Sequence, residues 1–108
     1  MLDAQFEDAA GALLVTPLRD LDAEAAPVLR RIVGERARGR SLVVVSLAHV
    51  GHVDCSGLAA LVSVLKWMPP GGELRLASVS DELRALLAAT HLDVVFPVFE
   101  DPAAALRP

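Results

Sequence analysis

The sequence predicts an α/β layer fold, and three features carry that prediction. Ser41-Leu42-Val43-Val44-Val45 is apolar without alternation, as a strand reads when helices or a second layer cover both of its faces. Ala25, Val28, Leu29, Ile32 and Val33 recur at helical spacing and form one apolar stripe. Strand-like and helix-like segments then alternate to the end of the chain, in the order β-β-α-β-α-β-α-β-α.

Each element has a local reason. Leu2 to Glu7 alternates loosely, and Leu13-Leu14-Val15 follows a turn at Ala10-Gly11, which together read as a pair of N-terminal strands. Pro27 fits only the first turn of a helix, so the first helix starts around Glu24 to Ala26. Its outer face carries Arg30, Arg31, Glu35, Arg36 and Arg38, and Gly39 ends it. A charge run on the outside of an amphipathic helix reads as a solvated face. After the strand ending at Val45 comes a loop from Ala48 to Val53, then a second helix from about Ser56 to Met68. Pro69-Pro70-Gly71-Gly72 breaks it. Leu74-Arg75-Leu76 alternates as a strand, and Ser78 or Ser80 can cap a third helix with Leu83, Leu86 and Leu87 turned inward. Val95 to Phe99 contains Pro97 and is expected as a short edge strand. Asp101-Pro102 supplies a cap and a first turn for a final helix ending near Leu106.

Composition bounds the function classes. The 108 residues are 54% hydrophobic but only 4% aromatic, so the core is built from Leu, Val and Ala rather than rings. Length and the absence of repeats, low-complexity tracts or linkers predict one domain over residues 1–108. A charged fraction of 22% excludes disorder by composition. The net charge of -4 argues against a protein that grips nucleic-acid phosphates over a broad surface. No run of about twenty apolar residues is present, so no membrane insertion is expected. A single Cys cannot close an intramolecular disulfide, and Met1-Leu2-Asp3 does not begin a basic-then-apolar leader, so a reducing, cytoplasmic setting is expected.

The stretch Val43–Leu65 joins a buried strand, a short loop and Asp54-Cys55-Ser56-Gly57 at the opening of a helix. It resembles the signature of the STAS domain, in which an Asp-Ser-Ser-Gly or Asp-Ser-Thr-Gly loop is followed by Leu and small apolar residues. The flanks resemble the same family: Asp20 to Pro27 before the first helix, Gly71 to Leu76 as the strand after the signature helix, Asp81 to Leu92 as the third helix, and Phe99-Glu100-Asp101 near the chain end. The resemblance implies a four- to five-stranded mixed sheet with about four helices packed mainly on one face. It also implies an anti-sigma factor antagonist, a bacterial regulator of transcription whose partner is a small anti-sigma factor kinase of histidine-kinase-like ATPase fold. In that family the unphosphorylated antagonist binds the kinase, and phosphorylation of the hydroxyl after the motif Asp ends the binding. Other members are subunits of lipid-transport ATPases or tails of anion transporters, and a regulatory subunit of a lipid-transport ATPase is the alternative function that the resemblance implies for this chain. The chain is expected to act as a monomer or weak homodimer.

Four positions depart from the family pattern. Cys55 stands at the phosphoacceptor position, with Ser56 as the neighbouring hydroxyl. Ser46 replaces a strand-terminal aspartate, His52 a large apolar residue before the motif, and His91 the glycine ending the third helix. The fold tolerates all four, whereas the phosphorylation switch depends on the first.

The site residues also have readings of their own. Asp54 at a helix mouth can accept from the first free N–H groups as a cap, and such an N-terminus is also where a phosphate would sit. His49, His52 and Cys55 are spaced by three but offer only three ligands, short of a tetrahedral set, so no metal and no cofactor are expected. A Cys-His nucleophile would need a third group to orient the imidazole, and no Gly-x-Ser-x-Gly elbow, phosphate-cradling loop or paired carboxylates occur, so no enzyme is expected. A redox-sensing thiol at Cys55 is the chemical alternative, since a helix start lowers a thiol's pKa. The simpler reading is a small residue filling a tight turn. In the signature helix Leu58, Leu61, Val62 and Leu65 make the inward stripe, leaving Ala60, Val64 and Trp67 on a neighbouring face that lacks charge. Either Trp67 folds under the chain end as core or a partner covers that face. The resemblance favours the partner, with Asp54, Cys55, Ser56, Gly57, Ala60, Val64 and Trp67 as the expected contact set.

Overall fold

The computed structural model describes residues 3–107. Its strands are β1 (Ala4–Ala9), β2 (Ala12–Pro17), β3 (Leu42–Ser46), β4 (Glu73–Ala77) and β5 (Val98–Phe99). Its helices are α1 (Ala26–Ala37), α2 (Cys55–Lys66), α3 (Asp81–Ala89) and α4 (Pro102–Ala105). The strands lie in the order β1-β2-β3-β4-β5, with β1 antiparallel to β2 and every later pairing parallel. The expected α/β fold with a mixed sheet is therefore present.

The β1–β2 hairpin closes tightly, with Ala9 facing Ala12 across Ala10 and Gly11, whose φ angles of 52° and 82° are both left-handed. Such a loop matches the right-handed twist of the strands it joins and carries β1 two residues beyond the expected end at Glu7. The expected start at Leu2 lies outside the described residues. At the other edge, Val95 to Phe99 is not one strand. A single turn of 3-10 helix occupies Leu92–Val94, Phe96 is fully buried, and only Val98–Phe99 pairs. Pro97 cannot donate to the ladder, but its carbonyl accepts from Leu76 N at 2.9 Å.

The sheet has unequal faces. Leu13 and Val15 of β2, Val43 and Val45 of β3, and Leu74 and Leu76 of β4 point into the main core with Leu29 and Val33 of α1 and Leu58 and Leu61 of α2. Leu14, Val44 and Ala77 point the other way, under Ala105 of the short α4. Val43, Val44 and Val45 are all fully buried, which is why β3 is apolar without alternation. α1 starts with Pro27 in its first turn, as its sequence predicts. For α3 the cap is Ser80, whose Oγ accepts from Leu83 N at 3.1 Å, while Ser78 takes a left-handed turn before it. Asp101 caps α4 by accepting from Ala104 N at 2.8 Å. Among the described residues no helix is long and apolar enough to cross a membrane.

Candidate functional site

Two chain segments distant in sequence meet at the start of α2. Leu21 and Val53 form an isolated parallel bridge, in which Leu21 N donates to His52 O at 2.9 Å and Asp54 N donates to Leu21 O at 3.2 Å. Asp20 fastens the same loop from the side: its Oδ1 accepts from Gly51 N at 3.1 Å and from His52 N at 3.0 Å. Asp22 accepts from Ala25 N at 3.0 Å at the entry to α1. That N–H holds the Asp22 carboxyl below the usual aspartate range, against the upward push of desolvation and with help from Arg19.

The four motif residues have separable roles. Asp54 caps α2, its Oδ1 accepting from Ser56 N at 2.9 Å and from Gly57 N at 3.1 Å. Cys55 is the first helical residue, and its thiol is exposed. Ser56 is half-buried. Gly57 is buried, and a Cβ there would run into the carbonyl oxygen of Leu21. The glycine is thus set by the same Leu21 peptide that anchors the loop. Asp20 belongs to this assembly although its bonds span 31 and 32 residues of sequence. Its only local sign is a carboxylate beside Leu21 in the segment before α1.

Beside Cys55 lies an open groove of about 360 Å³, lined among others by Val50, His52, Glu82, Leu83 and Leu86. His52 Nδ1 faces Glu82 Oε1 at 3.4 Å across it, so the polar residue at this loop position has a polar neighbour on α3. His49 is exposed, and among the described residues no three His, Cys, Asp or Glu side chains gather as a metal set.

The expected contact face of α2 needs correction. Ala60 is 1% exposed and Val64 fully buried, because α2 is wedged against α1 as well as against the sheet and so buries more than one stripe. Val62 and Leu65, expected inward, are only half-buried. The outward line is Cys55, Ala59 and Lys66, with Ser56, Val62 and Ser63 partly exposed beside it. Ser63 Oγ donates to Ala59 O at 3.1 Å, which satisfies its hydroxyl within the helix. Ser56, Ser63 and Lys66 follow one another at steps of seven and three, so the few polar residues already traced this side of the helix in the sequence. Trp67 caps the C-terminal end of α2, is 48% exposed, and lies over Gly34 of α1.

Comparison with known proteins agrees with this fold. A family model described as the STAS domain matches residues 3–105. The chain is similar in fold to an anti-sigma-factor antagonist (STAS) domain protein from Planctomyces limnophilus, with 23% identity and a TM-score of 0.86 over 98% of this chain and 96% of that one. It is similar to a putative anti-sigma factor antagonist from Thermotoga maritima, with 20% identity and a TM-score of 0.85 over 95% and 91% of the two chains. An anti-sigma factor antagonist from Mycobacterium paratuberculosis shows 21% identity and a TM-score of 0.84 over 98% and 92%.

Proposed function

The chain belongs to the STAS domain family, and we propose that it acts as an anti-sigma factor antagonist, binding an anti-sigma factor kinase through the Asp54–Gly57 loop and the outward line of α2. The observation that carries this reading is the placement of Cys55. It sits exposed at the first position of a capped helix, beside an open groove and at one end of a helix face whose only charge is Lys66. A surface of small and aliphatic side chains held by backbone hydrogen bonds loses little conformational entropy on docking.

The same placement supports a reading of the regulation. A phosphate on a hydroxyl here would add about -1.5 to -2 charges and three acceptor oxygens at an interface, next to the Asp54 carboxylate. A thiol is not the ordinary substrate of a serine kinase. Ser56 carries a hydroxyl, but it lies roughly 100° further round the helix axis at about 3.6 residues per turn. Binding is therefore constitutive, without the release step.

The test is a calorimetric titration of the purified chain with the anti-sigma factor kinases encoded in its source genome. Ala59→Arg places a bulky charge in the middle of the outward line, at an exposed position that leaves the core intact. It should weaken kinase binding at least about tenfold, equivalent to about 1.4 kcal/mol. Unchanged affinity in Ala59→Arg and Lys66→Glu would remove α2 from the interface.

A further inference from the structure

Read as sequence, the arginines of α1 form a solvated face. The fold adds an aromatic ring to them. Trp67, the one Trp of the chain, lies over Gly34, where any Cβ would overlap the ring. Gly34 thus forms a notch that seats one part of the indole, while 48% of the residue stays exposed. Around the ring runs a cleft of about 280 Å³ lined by Pro27, Arg30, Arg31, Glu35, Arg38 and Trp67. Arg36 and Arg40 are engaged elsewhere, Arg36 over the Phe6 ring at 4.3 Å and Arg40 with Asp8. Arg30, Arg31 and Arg38 are exposed and make no ion pair among the described residues. Three guanidiniums face a single carboxylate, Glu35, in a chain whose net charge is -4.

We propose that this cleft is a second docking surface, which takes an acidic segment of a protein partner with an apolar side chain laid against Trp67. The chemistry selects that occupant. Guanidiniums bind carboxylates through paired N–H donors, and a seated indole offers apolar area that needs little further ordering. Trp and Arg are the residue types most often found at the energetic centre of protein interfaces. A long polyanion, nucleic acid or an anionic membrane, would also meet the negative charge of the rest of the chain. A short acidic segment meets only the patch. The surface lies at the opposite end of α2 from Cys55, roughly 18 Å away at about 1.5 Å per residue, so it stands whether or not the Cys55 end binds a kinase.

With one Trp and no Tyr, the emission of the intact chain reports the cleft directly. The probe is a capped hexapeptide of four glutamates and two leucines, titrated into the protein at low salt. The expected result is a saturable change in Trp67 emission that weakens roughly tenfold when the salt is raised above physiological strength. In the triple variant Arg30→Gln, Arg31→Gln, Arg38→Gln, the affinity should fall at least about tenfold, with far-ultraviolet circular dichroism unchanged. Lack of a saturable change would overturn the proposal, as would equal binding by the triple variant. Emission that shifts with protein concentration alone would assign the cleft to a second copy of the chain. Stronger binding of a single-stranded oligonucleotide or of anionic vesicles than of the peptide would likewise overturn the assignment to a protein segment.

Discussion

At the N-terminal end of α2 the close neighbour of a glycine is backbone, the Leu21 carbonyl oxygen against Gly57; towards its C-terminal end it is a side chain, the Trp67 ring over Gly34 of α1. Both contacts exclude a Cβ, yet they differ in what can give way. The Leu21 peptide is held by its bridge to Val53 and lies next to Asp20, which grips the same loop. The Trp67 ring is half exposed and has water to move into. The first end is a fixed platform for an exposed thiol, and the second is an adjustable aromatic surface. A rigid site and an adaptable one are thus carried on one twelve-residue helix.

The largest effect should come from Gly57→Ala. Forcing a methyl against the Leu21 carbonyl displaces either α2 or the 20–22 segment, and overpacking of this kind costs about 1 to 3 kcal/mol. We expect a loss near the top of that range in urea denaturation, together with faster amide exchange at His52 and Asp54. A loss below about 1 kcal/mol would mean that the platform is softer than its hydrogen bonds imply.

Gly34→Ala should behave differently. Alanine favours a helix interior over glycine by about 1 kcal/mol, which offsets the displaced ring. Stability should stay within about 1 kcal/mol of wild type, while Trp67 emission moves to longer wavelength as the ring swings out. Destabilisation as large as that of Gly57→Ala would erase the distinction between the two ends.

Much of the fold was legible because its signals are local. Pro27, Asp54, Ser80 and Asp101 mark helix starts through hydrogen bonds or ring geometry spanning no more than three residues. Double-sided burial of β3 showed in its unbroken valines. The contact face of α2 was less legible, since Ala60 and Val64 are buried in a helix that packs against α1 as well as the sheet, a neighbour that the helix's own periodicity does not reveal. Asp20 was missed as an anchor for the same reason: its partners are two N–H groups more than thirty residues away. The arginine face of α1 read as solvated until the fold placed Trp67 among its side chains.

His91 gives the smallest and opposite effect. It stands just past the C-cap Thr90 of α3 with φ 59°, a left-handed turn that favours glycine. His91→Gly should therefore stabilise the chain, by about 0.5 kcal/mol once the greater freedom of glycine in the unfolded chain is counted. Calorimetric melting would show it as a small rise in Tm, and a fall would mean that the imidazole contributes a contact beyond its backbone position.

On the proposed function, Cys55 takes the phosphoacceptor position and leaves the switch silent. Wild type and Cys55→Ser would each be incubated with the proposed partner kinase and with ATP. Phosphate would then be located by mass spectrometry and binding followed in parallel. The account predicts no phosphate at position 55 and little at Ser56 in wild type, which stays bound, whereas Cys55→Ser gains one phosphate and dissociates. Stoichiometric phosphate on wild-type Ser56, accompanied by release of the kinase, would contradict it.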